Sequence, residues 1–281
     1  MPSDYQNKKA SLLTKHGKEE IIGPILARSH QLEVELITTI DTDDLGTFDR
    51  LVQRKETQFQ TVRKKAKLAI QHGRHSLGMA SEGSFILDPF SGFMPWNVEM
   101  VILIDEINDL EIVGVAQGIA KSMSRLVSCL SELNDFANES GFPSHHLMMR
   151  PESENDLRVV KGICDAHDLE KYFFQSLKLS RNQKVFVEND LRAFCNPTRQ
   201  IMIAKATDDL ANKLSSKCPQ CDRPGFWKSK AESGLPCKAC GLPTRVPINE
   251  IWSCRSCKYH SRMNHTHLMV ADPSSCDFCN P

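Results

Sequence analysis

The sequence predicts an α/β domain, a mixed sheet with flanking helices, followed by a small zinc-ribbon domain with two four-cysteine sites. Helix-like and strand-like segments alternate over residues 12–216, which is typical of α/β folds. The last quarter of the 281-residue chain contains four Cys-x-x-Cys pairs. We expect 1–11 to be a flexible tail, 12–216 to be the α/β domain and 217–281 to be the ribbon.

The cysteine pairs predict two structural zinc ions. Their members are Cys218, Cys221, Cys237, Cys240, Cys254, Cys257, Cys276 and Cys279. Two such loops complete the tetrahedral shell of four sulfurs that suits Zn2+ and leaves no open position for catalysis. Fifteen residues separate the first two pairs and eighteen the last two, both within the spacing of zinc ribbons. We predict sequential pairing, first with second and third with fourth, although the spacing alone leaves interleaved pairing open.

Composition indicates a reducing, cytoplasmic location for the protein. No secretory signal is visible after Met1, which disfavours disulfides, and the close cysteine run of ferredoxins is missing. No apolar stretch is long enough to predict a membrane span. The chain has 35 basic and 35 acidic residues, so as a whole it lacks the excess of positive charge that is typical of nucleic-acid-binding proteins.

The first predicted elements are a helix over 19–30, a strand over 34–40 and a helix over 55–72. A basic, glycine-containing loop over 14–18 leads into the first helix. This loop is either an anion-binding cradle at a helix N-terminus or a solvated loop. A polar loop over 41–48 follows the strand, and we expect the basic residues of the second helix to form a solvated face.

Further along, a strand over 77–81 ends in Glu82, and strands over 98–105 and 110–117 predict a hairpin. A carboxylate at the end of a buried strand lies where open α/β sheets bind ligands. The remaining elements are a helix over 123–140, strands over 144–150 and 159–161, a helix over 165–179, a strand over 184–187 and a helix over 196–216.

The segment 188–199 is the densest polar cluster outside the ribbon. Asn196-Pro197 predicts a helix start, which places Arg199 in the first helical turn. A cation there opposes the helix dipole unless an anion binds nearby. Arg192 and Arg199 are therefore candidate anion-binding residues; the alternative is that they pair with Glu188 or Asp190.

The predicted ribbon, from Lys217 to the C-terminus, contains nine basic and five acidic residues. Together with exposed aromatic residues, this excess of positive charge is compatible with binding of a nucleic acid or a protein. The alternative is that these residues only cover the small zinc core.

The whole chain resembles a family of bacterial proteins of unknown function that have an α/β body and a C-terminal zinc ribbon. The residues that carry this resemblance are His16–Glu19, Leu45–Phe48, Ala80–Phe85, Pro95–Asn97, Asn196–Arg199, Leu235–Cys237, Cys240–Thr244 and Cys276–Pro281. The resemblance implies the architecture and not an activity.

A second resemblance covers residues 12–117 and concerns the inosine triphosphate pyrophosphatase and Maf superfamily. It is carried by the order of the 14–18 loop, the basic helix and the strand that ends in Glu82. The resemblance implies that Lys18 binds phosphate, that Glu82 binds Mg2+, and that Arg63 or Lys67 lines the cleft. One departure is that Phe59 and Gln60 stand where that superfamily has a metal-binding Glu.

Two hypotheses follow. The first is a protein that binds, or hydrolyses with Mg2+, a phosphorylated small molecule such as a nucleotide. The second is a non-enzymatic adaptor whose ribbon binds nucleic acid or a protein. The sequence leaves open whether there is catalysis.

Overall fold

The computed structural model describes residues 4–40, 56–264 and 267–281. The predicted polar loop at 41–48, with Leu45, Gly46, Thr47 and Phe48, lies outside the described residues. The elements are β1 (Lys9–Leu13), α1 (Glu19–His30), β2 (Glu33–Leu36), α2 (Gln58–His72), β3 (Leu77–Leu87), β4 (Pro95–Asp105), β5 (Leu110–Ile119), β6 (Ser124–Val127), α3 (Leu130–Ser140), β7 (Leu147–Pro151), β8 (Val160–Ile163), α4 (Ala166–Leu179), β9 (Val185–Asn189), α5 (Pro197–Ser215), β10 (Phe226–Ser233), β11 (Pro247–Cys254) and β12 (His260–Asn264).

The chain divides into two compact units. The first, the α/β unit, is Met1–Asn108 with Val113–Ala211, and the second, the C-terminal unit, is Asp109–Ile112 with Asn212–Pro281. The predicted α/β class with a cysteine-rich C-terminal region is confirmed. Among the described residues, no helix has both the length and the hydrophobicity needed to cross a membrane.

The larger sheet has five strands in the order β2-β1-β3-β4-β5. Strand β1 pairs in parallel with β2 and with β3, and β3 pairs antiparallel with β4, so the sheet is mixed. The expectation of a flexible tail over 1–11 is wrong from Lys9 onward, because Lys9–Leu13 is an inner strand of this sheet. Ala10 and Leu12 are fully buried there, and Tyr5 is buried as well. A strand of five residues is too short to show a clear alternation in the sequence.

The helices lie on opposite faces of this sheet. Val62 and Ala66 of α2 pack against Ala80 of β3 and Ile102 of β4. Met100 of β4 packs on the face of α2, so its neighbour Glu99 points to the other face. Arg199 of α5 binds Glu99, which places α5 on that other face. His30 of α1 shares a 2.8 Å hydrogen bond with Ala211 O, which ties α1 to α5.

The second sheet of the α/β unit has four strands in the order β6-β9-β7-β8, and its three pairings are antiparallel. Helices α3 and α4 pack against this sheet, and Leu133 and Phe136 of α3 and Phe173 of α4 belong to the shared core. The sequence predicts one helix over 123–140, but Ser124–Val127 is the strand β6 and the helix begins at Leu130. This segment pairs with β9, and the tertiary pairing overrides its helical propensity.

The C-terminal unit contains a three-stranded antiparallel sheet in the order β10-β11-β12. In its first ladder, Phe226 pairs with Cys254 at one end and Ser233 pairs with Pro247 at the other. Phe226 forms a small core with Trp252 and Tyr259. A core of this size calls for additional stabilisation.

Candidate functional sites: two four-cysteine centres and a buried charged cluster

The first four-cysteine centre joins the turn before β10 to the turn between β11 and β12. Its members are Cys218, Cys221, Cys254 and Cys257. Their sulfur atoms all lie within 4.8 Å of one another. Two of the separations, Cys218 Sγ to Cys257 Sγ and Cys221 Sγ to Cys254 Sγ, are 3.7 Å.

The second four-cysteine centre joins the loop between β10 and β11 to the end of the chain. Its members are Cys237, Cys240, Cys276 and Cys279. Cys240 Sγ lies 3.7 Å from Cys276 Sγ, and Cys237 Sγ lies 3.9 Å from Cys279 Sγ. A parallel bridge between Cys237 and Ala271 returns the last segment to this loop.

The predicted sequential pairing of the cysteine loops is wrong, and the pairing is interleaved. The first pair meets the third and the second pair meets the fourth. The β10–β11 hairpin explains this order. Phe226, which follows the first pair, lies beside Cys254 of the third pair, whereas the second pair lies in the loop at the other end of the hairpin. At about 3.3 Å per residue, the length of β10 separates these two ends by roughly 25 Å.

Both centres have the geometry of a structural zinc site. A tetrahedron with Zn–S bonds of about 2.3 Å has S···S edges of about 3.8 Å, which the observed separations match, while a disulfide needs about 2.05 Å. Backbone N–H groups donate to the sulfurs, as Gln220 N does to Cys218 Sγ over 3.4 Å. The N–H groups of Cys240 and Ala239 help to lower the pKa of Cys237 to about 7. From the positions of its four sulfur atoms, each cluster could therefore hold one zinc ion.

A cluster of five charged side chains, which we call the charged cluster, is buried in the α/β unit. Its members are Lys18, Lys65, Glu82, Glu99 and Arg199. It contains two ion pairs shielded from solvent: Lys65 Nζ donates to Glu82 Oε2 over 2.6 Å and Arg199 Nε donates to Glu99 Oε1 over 2.7 Å. Arg199 also donates to Leu191 O. Buried charges of this kind are found where they are paired.

The two ion pairs lie on opposite faces of the five-stranded sheet. In the β3–β4 ladder, Glu82 pairs with Met100 and Gly83 pairs with Glu99. Because successive residues of a strand alternate sides, Glu82 points to the face of α2 and Glu99 to the face of α5. Gln58 of α2 reinforces the first face, since its Nε2 donates to Glu82 O and Val98 O over 2.8 Å each.

Lys18 lies in the loop that follows β1 and interacts electrostatically with all four members of the two ion pairs. It is the N-cap residue of α1 and its side chain is almost inaccessible, with 6 % relative exposure. Burial, and then the Arg199 guanidinium, lower the pKa of Lys18 to about 7, although Glu99 and Glu82 act in the opposite direction. Within the described residues, its amine forms no hydrogen bond and no ion pair. A buried lysine amine without such a partner is uncommon.

The strand register places the loop after β1, which carries Lys18, beside the middle of β3, where Glu82 lies. The connection after β1 runs to β2 on one side of the sheet, whereas the connection after β3 runs to β4 on the other side. The carboxyl end of β1, beside the middle of β3, therefore lies between two diverging connections, and α/β sheets bind ligands at such points. Leu13 of β1 is level with Ala80 of β3, and the Thr14 and Ser81 hydroxyls are 3.4 Å apart just beyond.

The structure brings some of the predicted site residues together and separates others. Lys18, Glu82 and Arg199 all belong to the charged cluster, in which Glu82 and Arg199 both act electrostatically on Lys18. Arg192 instead binds Asp190 with an Nη2–Oδ2 distance of 2.5 Å, which agrees with the alternative interpretation of that residue. Arg63 and Lys67 lie on the exposed side of α2, and both line a shallow depression that is separate from the charged cluster.

Lys65 and Glu99 are members of the charged cluster that the sequence did not indicate as candidate site residues. Lys65 is one of the basic residues that we expect on a solvated face, yet it is buried. Its position, three residues after Val62 and four before Ala69, falls in the apolar stripe of the helix and is the signal that could have identified it. Glu99 lies two residues before the buried Val101, so strand alternation places it on an inner face.

The structure gives no support for Mg2+ at Glu82. Its carboxylate is held by Lys65, and among the described residues Glu82 belongs to no group of three His, Cys, Asp or Glu side chains that could hold a metal ion.

Comparison with known proteins agrees with the architecture. Residues 65–281 match the model of the family described as "Domain of unknown function (DUF6671)", and the chain belongs to this family. No curated protein and no solved structure matches the chain. The resemblance of residues 12–117 to the inosine triphosphate pyrophosphatase and Maf superfamily therefore has no support from these comparisons.

Proposed function

We propose that the α/β unit binds a phosphorylated small molecule at the carboxyl end of β1, beside the middle of β3, and that Lys18 is its main contact. The observation that supports this proposal most strongly is the Lys18 side chain, which has 6 % relative exposure and no hydrogen-bond partner among the described residues. A phosphate oxygen would supply the missing acceptor and a charge of opposite sign.

The charge balance of the cluster favours an anion. Lys18, Lys65 and Arg199 are cationic, and Glu82 and Glu99 are anionic, so one positive charge is in excess when Lys18 is protonated. An anion beside Lys18 offsets this excess and raises the pKa of the amine again. Binding should therefore take up a proton at about pH 8.

The helix dipole of α1 contributes less than the sequence suggests. The first turn of α1 already carries Glu19 and Glu20, which interact with the positive end of the dipole. We therefore assign the anion to the Lys18 side chain and not to the backbone N–H groups of the helix.

We propose binding in preference to Mg2+-dependent hydrolysis. Both carboxylates of the cluster are paired with cations, Glu82 with Lys65 and Glu99 with Arg199. Recruiting either one as a Mg2+ ligand would leave a buried cation without its partner, which is strongly unfavourable.

The test is calorimetric titration of the full-length protein with inorganic phosphate, pyrophosphate and nucleotides at about pH 7, with and without Mg2+. We expect at least one of these anions to bind, and we expect Lys18→Met to abolish binding. The matched control is Lys67→Met, which removes an exposed lysine from α2 and should leave the affinity unchanged. Absence of binding to the wild-type protein, or unchanged binding to Lys18→Met, would overturn the proposal.

In the C-terminal unit, we propose that each four-cysteine centre holds one structural Zn2+. The S···S separations of 3.7 to 3.9 Å support this proposal. Elemental analysis of protein purified without chelators should find two zinc ions per chain. A content near zero, with all eight thiols free to react, would contradict it.

A further inference from the structure

Several buried side-chain atoms of the α/β unit lack a hydrogen-bond partner, and two of them are acceptors on strand β4. Asn97 Oδ1 and Glu99 Oε2 have no hydrogen-bond partner within the described residues. The relative exposure of Asn97 is 1 % and that of Glu99 is 0 %. Such atoms are rare in folded proteins, because a buried acceptor without a donor is unfavourable.

The two acceptors belong to one arrangement. Asn97 and Glu99 are two residues apart in β4, so their side chains lie on the same face of the sheet. Asn97 Nδ2 donates to Glu99 Oε1 over 3.1 Å and to Ser84 O over 3.1 Å, which fixes the amide and leaves Oδ1 as its remaining group.

This arrangement extends toward Lys18. Gly83 faces Glu99 in the ladder, and a Cβ at Gly83 would lie 2.3 Å from Glu99 Oε1. The Glu99 side chain therefore lies across β3, the strand that separates β4 from β1. The Glu99 carboxylate also acts electrostatically on the Lys18 amine, in the loop after β1.

We infer that the ligand carries hydroxyl groups as well as a phosphate, and that Glu99 Oε2 and Asn97 Oδ1 accept hydrogen bonds from them while Lys18 holds the phosphate. The ligand class is then a sugar phosphate. This inference rests on the proposed phosphate site at Lys18.

The surrounding charges favour a hydroxyl over an amine as the donor. Lys18, Lys65 and Arg199 all lie within the cluster, and a further buried cation would be repelled. A neutral hydroxyl donates a hydrogen bond without adding charge. A site that offers two acceptors discriminates strongly against an analogue that lacks the donor, because the acceptors are then left unpaired.

The experiment compares two ligands of similar length by calorimetry on the full-length protein: ribose 5-phosphate and pentyl phosphate, which lacks hydroxyl groups. We expect the wild-type protein to bind ribose 5-phosphate at least tenfold more tightly. In Asn97→Ala this ratio should fall several-fold while the affinity for pentyl phosphate is unchanged. Ser84→Ala is the matched control, since Ser84 lies in the adjacent strand on the face of α2 and donates to Gln58.

Each outcome decides between the two proposals. Equal affinities of the wild-type protein for both ligands would overturn the sugar phosphate and leave the phosphate site intact. Binding of neither ligand would overturn the phosphate site itself. If Asn97→Ala does not fold, the isosteric Asn97→Leu provides the second variant, and a ratio that persists there would overturn the assigned acceptors.

Discussion

Gly83 lies directly opposite Glu99 in the β3–β4 ladder, and the absence of a side chain at Gly83 makes room for the Glu99–Arg199 ion pair. A Cβ at this position would lie 2.3 Å from Glu99 Oε1 and 2.6 Å from Arg199 Nη2. Separations below 3.0 Å are essentially never observed for real Cβ atoms, so one partner would have to move. Since all of these groups are buried, the sheet has little room in which to accommodate the change.

We therefore expect Gly83→Ala to destabilise the α/β unit by about 1–3 kcal/mol, as overpacking of a buried site does. Urea unfolding followed by circular dichroism measures the effect. Gly23→Ala in α1 is the control, because a Cβ there meets nothing within 4 Å. It should be neutral or stabilising by up to about 1 kcal/mol, since alanine is the better helix former. Equal stability of Gly83→Ala and the wild-type protein would contradict the geometry of the ion pair.

The Lys65–Glu82 pair gives a second prediction. Lys65→Met leaves the Glu82 carboxylate buried without its cation, and loss of one partner of such a pair is destabilising by about 3–5 kcal/mol. The double variant Lys65→Met with Glu82→Leu removes both charges and should recover most of the stability. The two single variants and the double variant form a thermodynamic cycle that can be measured by urea unfolding. Additive effects of the two substitutions would show that the side chains are not coupled.

Much of the α/β architecture could be predicted from local patterns. Helix α4 begins after Asp165, whose Oδ1 accepts from Asp168 N over 2.8 Å, as its N-cap position predicts. Helix α5 begins at Pro197, and α3 ends before Gly141, which has a φ of 84°. These boundaries depend on side chains a few residues apart, so the sequence contains the information directly.

The features that local sequence patterns do not predict depend on pairing between distant segments. Strand β1 gains its burial from β2 and β3, which lie later in the chain. In the charged cluster, Lys65 pairs with Glu82 on one face of the sheet and Arg199 pairs with Glu99 on the other, and each pair joins residues that are far apart in the sequence. Spacing alone could not decide the order of the cysteine pairs either, because the register of β10 with β11 determines it.

The interleaved cysteine pairing can be tested by counting zinc ions in two double variants. Cys221→Ser with Cys254→Ser removes two ligands of the same centre, so this protein should retain one zinc ion per chain. Cys221→Ser with Cys240→Ser removes one ligand from each centre and should lose most of both zinc ions. Sequential pairing reverses these two results. Elemental analysis after gel filtration provides the count, and the wild-type protein, expected to hold two, is the reference.

Lys18 makes the stability of the α/β unit depend on pH in a direction that can be derived from its pKa. The folded protein lowers that pKa from 10.5 to about 7, so between these values the unfolded chain holds more protons at this position than the folded chain does. The free energy of unfolding should therefore rise with pH across this window. Below about pH 7 both states are protonated and the full penalty for burying the charge is present, whereas above pH 10.5 it is absent.

We expect the Lys18 contribution to increase stability by at most about 3 kcal/mol between about pH 7 and pH 9, since one pKa unit corresponds to about 1.4 kcal/mol. The Lys18→Met variant lacks this contribution. The free energy of unfolding of the wild-type protein, measured relative to that of the variant, should therefore rise with pH. Urea unfolding at several pH values measures this difference, and Lys67→Met, on the exposed side of α2, should show no such trend. A difference that stays constant with pH would mean that the buried amine keeps its ordinary pKa, and that it does not gain a proton when an anion binds.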